Sequence, residues 1–268
     1  MIEKSTYQVV VPNAEQTGSS STAVTAVGRV LDILDAFQRV QKPLSLTELA
    51  EITAIPKSSC HAIVATLIAR GYVYSLTRPR ALYPTRRLLD VARDIHAHDP
   101  FVENVIPMLE QLRDNTQETV ILGKRQGSAI IYLQVFESLH SIRYSSKSGE
   151  FKPLHSSAIG KALLGSLKEA ELRDQLLGRD LMRITQNTIT EPDALIFDIL
   201  ESRKRGYFVT RGENVPDVSA VSAFLNVNSE TLAVAVAGPS HRMDNKVIEH
   251  AQQLLSTCGM ISRQLAWR

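Results

Sequence analysis

From Val24 to Phe37 apolar residues fall at helical spacing, on Val27, Val30, Leu31, Leu34 and Phe37, which predicts an amphipathic helix. Ser45 followed by Glu48 forms a capping-box pattern ahead of a short helix that buries Leu46, Leu49 and Ile52. Pro56 disfavours helical geometry at Ile55, so that helix ends near Thr53-Ala54. Pro56 also suits the first turn of a new helix. Over Lys57–Arg70 that helix separates into two faces. Cys60, Ile63, Val64, Leu67 and Ile68 are expected to pack inward. Lys57, Ser58, His61, Ala62 and Ala65 are expected to face outward, with Ser59 on the boundary. Gly71 stops the helix, and Tyr72–Tyr74 and Ala81–Tyr83 read as a two-stranded ribbon with Leu76–Arg80 at its tip.

Beyond Thr85 the pattern changes. One helix carries Val91, Ala92 and Ile95, and another opens at Pro100 with Val102, Val105, Ile106, Leu109 and Leu112 on one face. Strand-like runs follow at Thr119–Gly123, Ala129–Val135 and Ser141–Ser145, then helical stretches near Ser157–Leu164, Leu167–Leu177 and Asp193–Arg205. Two more strands, Ala220–Val227 and Leu232–Ala237, flank the turn Asn228-Ser229-Glu230, and a last helix runs from about Asn245 to Gln264. Strands in hairpin-compatible groups with helices at either end predict an α+β fold with a mostly antiparallel sheet. The expected division is a disordered tail over 1–22, a winged helix-turn-helix domain over 23–85, a linker helix over 86–99 and a larger domain over 100–268.

Charge sharpens the picture. The whole chain of 268 residues carries a net charge of only +2, yet Ala23–Leu88 holds nine basic residues against four acidic ones. A basic head on a mildly acidic body points to a polyanionic partner at one end. Two short helices, the second with a small, polar, cationic face, followed by a hairpin tipped with Arg78 and Arg80, form the order of a winged helix-turn-helix that reads double-stranded DNA. Winged helices also serve as protein-contact modules, so an adaptor is the rival reading of the head.

Composition is that of a globular protein, 44% hydrophobic and 22% charged. No apolar run approaches the length needed to span a bilayer, so no membrane partner is expected. Cys60 and Cys258 form no CxxC, and with no signal-peptide pattern this fits a cytoplasmic setting. No nucleophile elbow, P-loop, dinucleotide fingerprint or zinc-protease motif is found, so no catalytic residue and no cofactor is assigned. An enzyme with an appended winged helix is the alternative that this weakens. His96 and His98 lie two apart and point in different directions on a helix, which argues against a metal site. His155 beside Ser156 and Ser157 fits a helix cap better than a nucleophile with its base.

Several spaced segments resemble the IclR family of transcription regulators. In the head these are Thr25-Ala26-Val27-Gly28-Arg29-Val30-Leu31-Asp32-Ile33-Leu34, Leu46-Thr47-Glu48-Leu49-Ala50 and Ile55-Pro56-Lys57-Ser58-Ser59-Cys60-His61. Further on they are Thr116–Val120, Pro153–Leu164 and Arg205-Gly206-Tyr207. The resemblance implies a GAF-like effector-binding domain, homodimers or dimers of dimers on palindromic promoter sites, and control of a catabolic operon. It places Thr47, Lys57, Ser58, Ser59, His61 and Ala62 on the DNA side of the head, with Arg78 and Arg80 at the wing. Three positions depart from the family pattern: Ala54 replaces the usual turn glycine, Ser59 a threonine, and Ala62 an arginine, so a strong guanine contact is missing there.

The resemblance also implies an effector pocket. Family members that bind small polar acids set an aspartate, a cysteine and two serines around the ligand. The matching positions here are Thr210, Ala220, Ala235 and Ala237, and the loop backbone that meets the ligand carboxylate falls at Ala158 and Ile159. Each ligand polar group buried without a partner costs about 1–3 kcal/mol. The expected small-molecule effector is therefore an acid with more apolar surface, aromatic or longer in chain. Glu213 also matches a family glutamate.

Overall fold

The structure is a computed structural model describing residues 22–97, 100–227 and 230–265. The proposed tail, His98 with Asp99, and Asn228-Ser229 of the expected turn lie outside the described residues, apart from Thr22. The described residues divide into two compact units, one within 22–97 and the other within 100–265.

The first unit contains helices α1 (Thr22–Val40), α2 (Leu46–Thr53) and α3 (Lys57–Ala69), the hairpin β1 (Val73–Leu76) and β2 (Ala81–Pro84), and α4 (Arg87–Ala97). The capping box forms as read: the Ser45 amide donates to Glu48 Oε2 at 2.7 Å and the Glu48 amide to Ser45 Oγ at 3.2 Å. These bonds hold the Glu48 carboxyl below its ordinary range. Ile33, Phe37, Leu44, Leu49, Cys60, Val64, Leu67, Val73 and Leu82 close one core. The α1 face differs from the expected one. Ile33 and Ala36 are fully buried, whereas Val27 and Leu31 stand 64% and 56% exposed. Ile52 and Ile68 also lie outside the core, so α2 and α3 each bury a narrower stripe than predicted. The ribbon is antiparallel from Val73↔Pro84 to Leu76↔Ala81, so Leu76 belongs to the strand and the tip is Thr77–Arg80. Leu44 bridges to Leu82 as a third, single-residue rung. Tyr83 meets Phe37 and Tyr74 edge-on, which seats the hairpin against α1.

The second unit is built on a six-stranded antiparallel sheet in the order β5-β4-β3-β8-β7-β6. Its strands are β3 (Thr119–Gln126), β4 (Ala129–Phe136), β5 (Phe151–Pro153), β6 (Phe208–Arg211), β7 (Val218–Val227) and β8 (Glu230–Pro239). Alternation sorts β8 between two cores. Leu232, Val234 and Val236 join the core that includes α5 (Pro100–Thr116) and α10 (Val247–Leu265). Ala233, Ala235 and Ala237 join the other, with residues of α6 (Ala158–Gly165), α7 (Glu169–Leu176) and α8 (Pro192–Arg205). The short α9 (Ser240–Met243) follows β8.

One expected strand is absent. Ser141–Ser145 has no ladder partner. Side chains satisfy its carbonyls instead: Thr119 Oγ1 donates to the Tyr144 carbonyl at 2.6 Å and Arg242 Nη2 to that of Ile142 at 3.0 Å. The sheet edges are instead β5 and β6, short strands that the alternation pattern had not marked.

Candidate nucleic-acid face and effector cavity

In the first unit α2 ends at Ala54 in a left-handed conformation, φ 53°, which turns the chain before α3. Pro56 is the N-cap of α3 rather than its first helical residue, and it makes no side-chain cap. Without a capping side chain, the positive end of the helix dipole is open to an anion. Cys60, Val64 and Leu67 anchor α3 inward. Lys57, Ser58, His61, Ala62 and Ala65 are exposed, and Ser59 is half-buried at the boundary. Thr47 is exposed on the first turn of α2, and Arg78 and Arg80 are exposed at the hairpin tip. Cys60 is fully buried, and burial pushes its thiol up, so it serves as a small core hydrophobe.

In the second unit all six residues assigned to the effector, Ala158, Ile159, Thr210, Ala220, Ala235 and Ala237, line one cavity of about 30 Å³. That volume holds no more than about two waters. The N-terminus of α6 closes one side. Ser157 Oγ donates to the Pro153 carbonyl at 2.7 Å and accepts the Gly160 amide at 3.1 Å, so Ser157 is the cap. Gly160 is required there, because a Cβ would fall 2.1 Å from the Leu154 carbonyl oxygen. His155 turns away and its Nε2 lies 2.9 Å from the Met182 carbonyl. Burial lowers its pKa, the Met182 bond opposes that, and Lys161 adds to the lowering.

The alanines are not the whole lining. Tyr132 and Tyr144 also face the cavity, with Ser157 and Asn214. Tyr132 is buried, and burial followed by the neighbouring Tyr144 raises its phenol well above the ordinary value. These groups return hydroxyl and amide partners that a comparison confined to four family positions misses. The signal was present: Ile130 and Tyr132 alternate on β4. Behind the cavity Lys161, fully buried, donates to Asp198 Oδ2 at 2.9 Å and Glu213 Oε1 at 2.8 Å. Glu213 therefore ties α6 to the loop after β6, and its carboxyl is raised chiefly by burial against the pull of Lys161. That role is structural.

A larger space of about 780 Å³ adjoins the first, sharing Tyr144, Asn214, Val215 and Val218 with it. Among the described residues no cluster of His, Cys, Asp and Glu could hold a metal ion, and no single helix is long and apolar enough to cross a membrane.

A winged helix-turn-helix with a cationic, close-approach helix face, on a chain that also carries a sheet domain enclosing a cavity, defines a DNA-binding transcription regulator. Two family descriptions match, the IclR helix-turn-helix domain over residues 26–76 and the bacterial transcriptional regulator IclR C-terminal domain over residues 95–263. The chain belongs to the IclR family. It is 32% identical to the HTH-type transcriptional regulator BhcR of Paracoccus denitrificans, over 91% of this chain and 90% of the relative. The Thermotoga maritima IclR crystal structure superposes with a TM-score of 0.76 at 25% identity, covering 90% of this chain and 99% of that one. An IclR homologue from Microbacterium hydrocarbonoxydans, solved with 4-hydroxybenzoate, shares the fold with a TM-score of 0.73 at 18% identity, over 91% of this chain and all of that one.

Proposed function

We propose that the head reads a promoter with Lys57, Ser58, Ser59, His61 and Ala62 in the major groove, Thr47 at the backbone, and Arg78 and Arg80 at the wing. The observation that carries this is the exposure of these residues on one unit while Cys60, Val64 and Leu67 seal the opposite side of α3. The division into a head over 23–85, a linker helix over 86–99 and a sensing domain over 100–268 is part of the same reading. So is a cytoplasmic protein controlling a catabolic operon. Apolar residues exposed in the head, Val27 and Leu31 on α1 with Leu89 and Ile95 on α4, support pairing of two heads on a palindromic site, as a dimer or a dimer of dimers.

Gel-shift titration against the gene's own upstream region tests the DNA assignment. Affinity is expected to fall steeply with added salt, and Arg78→Ala with Arg80→Ala to weaken binding and reduce the salt slope by about two. A wild-type protein that ignores this duplex at low ionic strength overturns it.

The sensing domain takes a small organic acid with substantial apolar surface, one end of it against Ala158, Ile159, Thr210, Ala220, Ala235 and Ala237 and the rest in the larger adjoining space. The three alanine methyl groups support this, and the homologue solved with 4-hydroxybenzoate is a relative in fold with such a ligand. Calorimetry is expected to show weak or no binding of pyruvate. Tight pyruvate binding sinks the assignment.

A further inference from the structure

The wider space beside the cavity is largely apolar, walled by Phe151, Leu154, Leu164, Leu176 and Met182 among others. Its charges are unequally matched. Arg143 is paired with Glu137 at 2.9 Å and Lys152 with Glu150 at 3.0 Å. Arg125, near the end of β3, and Arg179, in the segment after α7, line the same space. Arg125 Nε donates only to the Gly127 carbonyl, at 2.9 Å, which leaves its charge unneutralised. No carboxylate bonds to either guanidinium among the described residues; Asp180, which also lines the space, is the sole acidic side chain there. Burial, and then the like charge of Arg179, lower the pKa of Arg125.

Arg125 is half-buried and Arg179 exposed, so the pair stands at the solvent edge of the apolar space, where an anion bound by both relieves the repulsion of like charges. We propose that Arg125 and Arg179 form a subsite for the anionic group of a ligand whose apolar body fills the outer chamber. The ligand class is an amphiphilic organic acid with a chain or ring system long enough to reach from the guanidinium pair towards Tyr144. This deepens the reading of the second unit as a sensing domain and rests on it. It moves the main charge contact away from the α6 N-terminus, where the adjoining cavity has room for little more than water.

Calorimetry of the full-length protein with octanoate, and separately with octan-1-ol, is the test. The alcohol keeps the chain and loses the charge. Octanoate is expected to bind about tenfold or more tightly than the alcohol. Arg125→Gln and Arg179→Gln are each expected to weaken octanoate, and the double variant to bring it down to the alcohol. Lys204→Gln, an exposed residue on α8, serves as the control and is expected to change nothing. Thermal melting of each variant confirms folding, and octan-1-ol affinity unchanged in the double variant shows that the chamber itself is intact. Equal binding of acid and alcohol by the wild type, undetectable octanoate binding, or wild-type octanoate affinity in the folded double variant each overturns the proposal. Gel-shift with and without octanoate separates the two readings. Arg-dependent octanoate binding that leaves DNA affinity unchanged keeps the subsite and removes its role in sensing.

Discussion

Ala54 shows how a single residue both fixes a geometry and stands against it. The turn between α2 and α3 needs a left-handed residue, and Ala54 supplies φ 53° at a position where a Cβ is strained. The strain was foreseeable, since the resemblance puts a glycine there. Ala54→Gly relieves the Cβ clash, which outweighs the added backbone freedom of glycine in the unfolded chain. We expect a gain of about 0.5–1 kcal/mol, read as a raised denaturation midpoint without change of slope. A loss of stability would mean that the turn opens differently. The pocket teaches the complementary lesson. Ala220, Ala235 and Ala237 were legible because each matches one family position. Tyr132 was readable from the alternation along β4, but Tyr144 was not, because its approach depends on the path of the unpaired segment Ser141–Ser145.

At the level of elements, what was legible followed from periodicity, and what was not depended on partners distant in sequence. The capped α2 and the amphipathic α3 are local objects: Ser45, Glu48 and Pro56 mark their ends. The face of α1 is not local. The helix carries two apolar arcs, and only packing against the hairpin and α2 selects Ile33 and Phe37 over Val27 and Leu31. Likewise Ser141–Ser145 has strand-like composition but is claimed by Thr119 and Arg242. Arg242 of α9 holds Glu118, at the edge of β3, in a bidentate pair with Nε–Oε1 at 2.5 Å and Nη2–Oε2 at 2.8 Å. Glu118 is 2% exposed, and Gly238 makes room for it, since a Cβ there would lie 2.3 Å from Oε2. Removing the cation strands a buried carboxylate. Arg242→Met is expected to cost about 3 kcal/mol in urea unfolding at neutral pH. Adding Glu118→Met is expected to recover much of that loss, because the two apolar side chains then meet. If the single substitution costs under about 0.5 kcal/mol, Arg242 is not what holds this corner.

For the whole molecule the question is how many heads act together. A single winged helix contacts one half-site, and the affinity of a palindrome comes from joining two such contacts, which multiplies binding through effective concentration. Leu31 at 56% and Ile95 at 70% exposure are apolar groups open to a second head. If these residues join paired heads, charges placed there should separate the pair without touching the reading face on α3. Leu31→Glu with Ile95→Glu is expected to lower affinity for a two-half-site duplex by about a hundredfold, within the range that linked binding provides. Affinity for a single half-site should stay within about twofold, since Lys57, Ser58, His61 and the wing arginines are unaltered. An equal loss on both duplexes would point to a damaged fold. No loss on either would place the pairing surface elsewhere, most simply in the sheet unit, and the exposed stripe on α1 and α4 would need another partner.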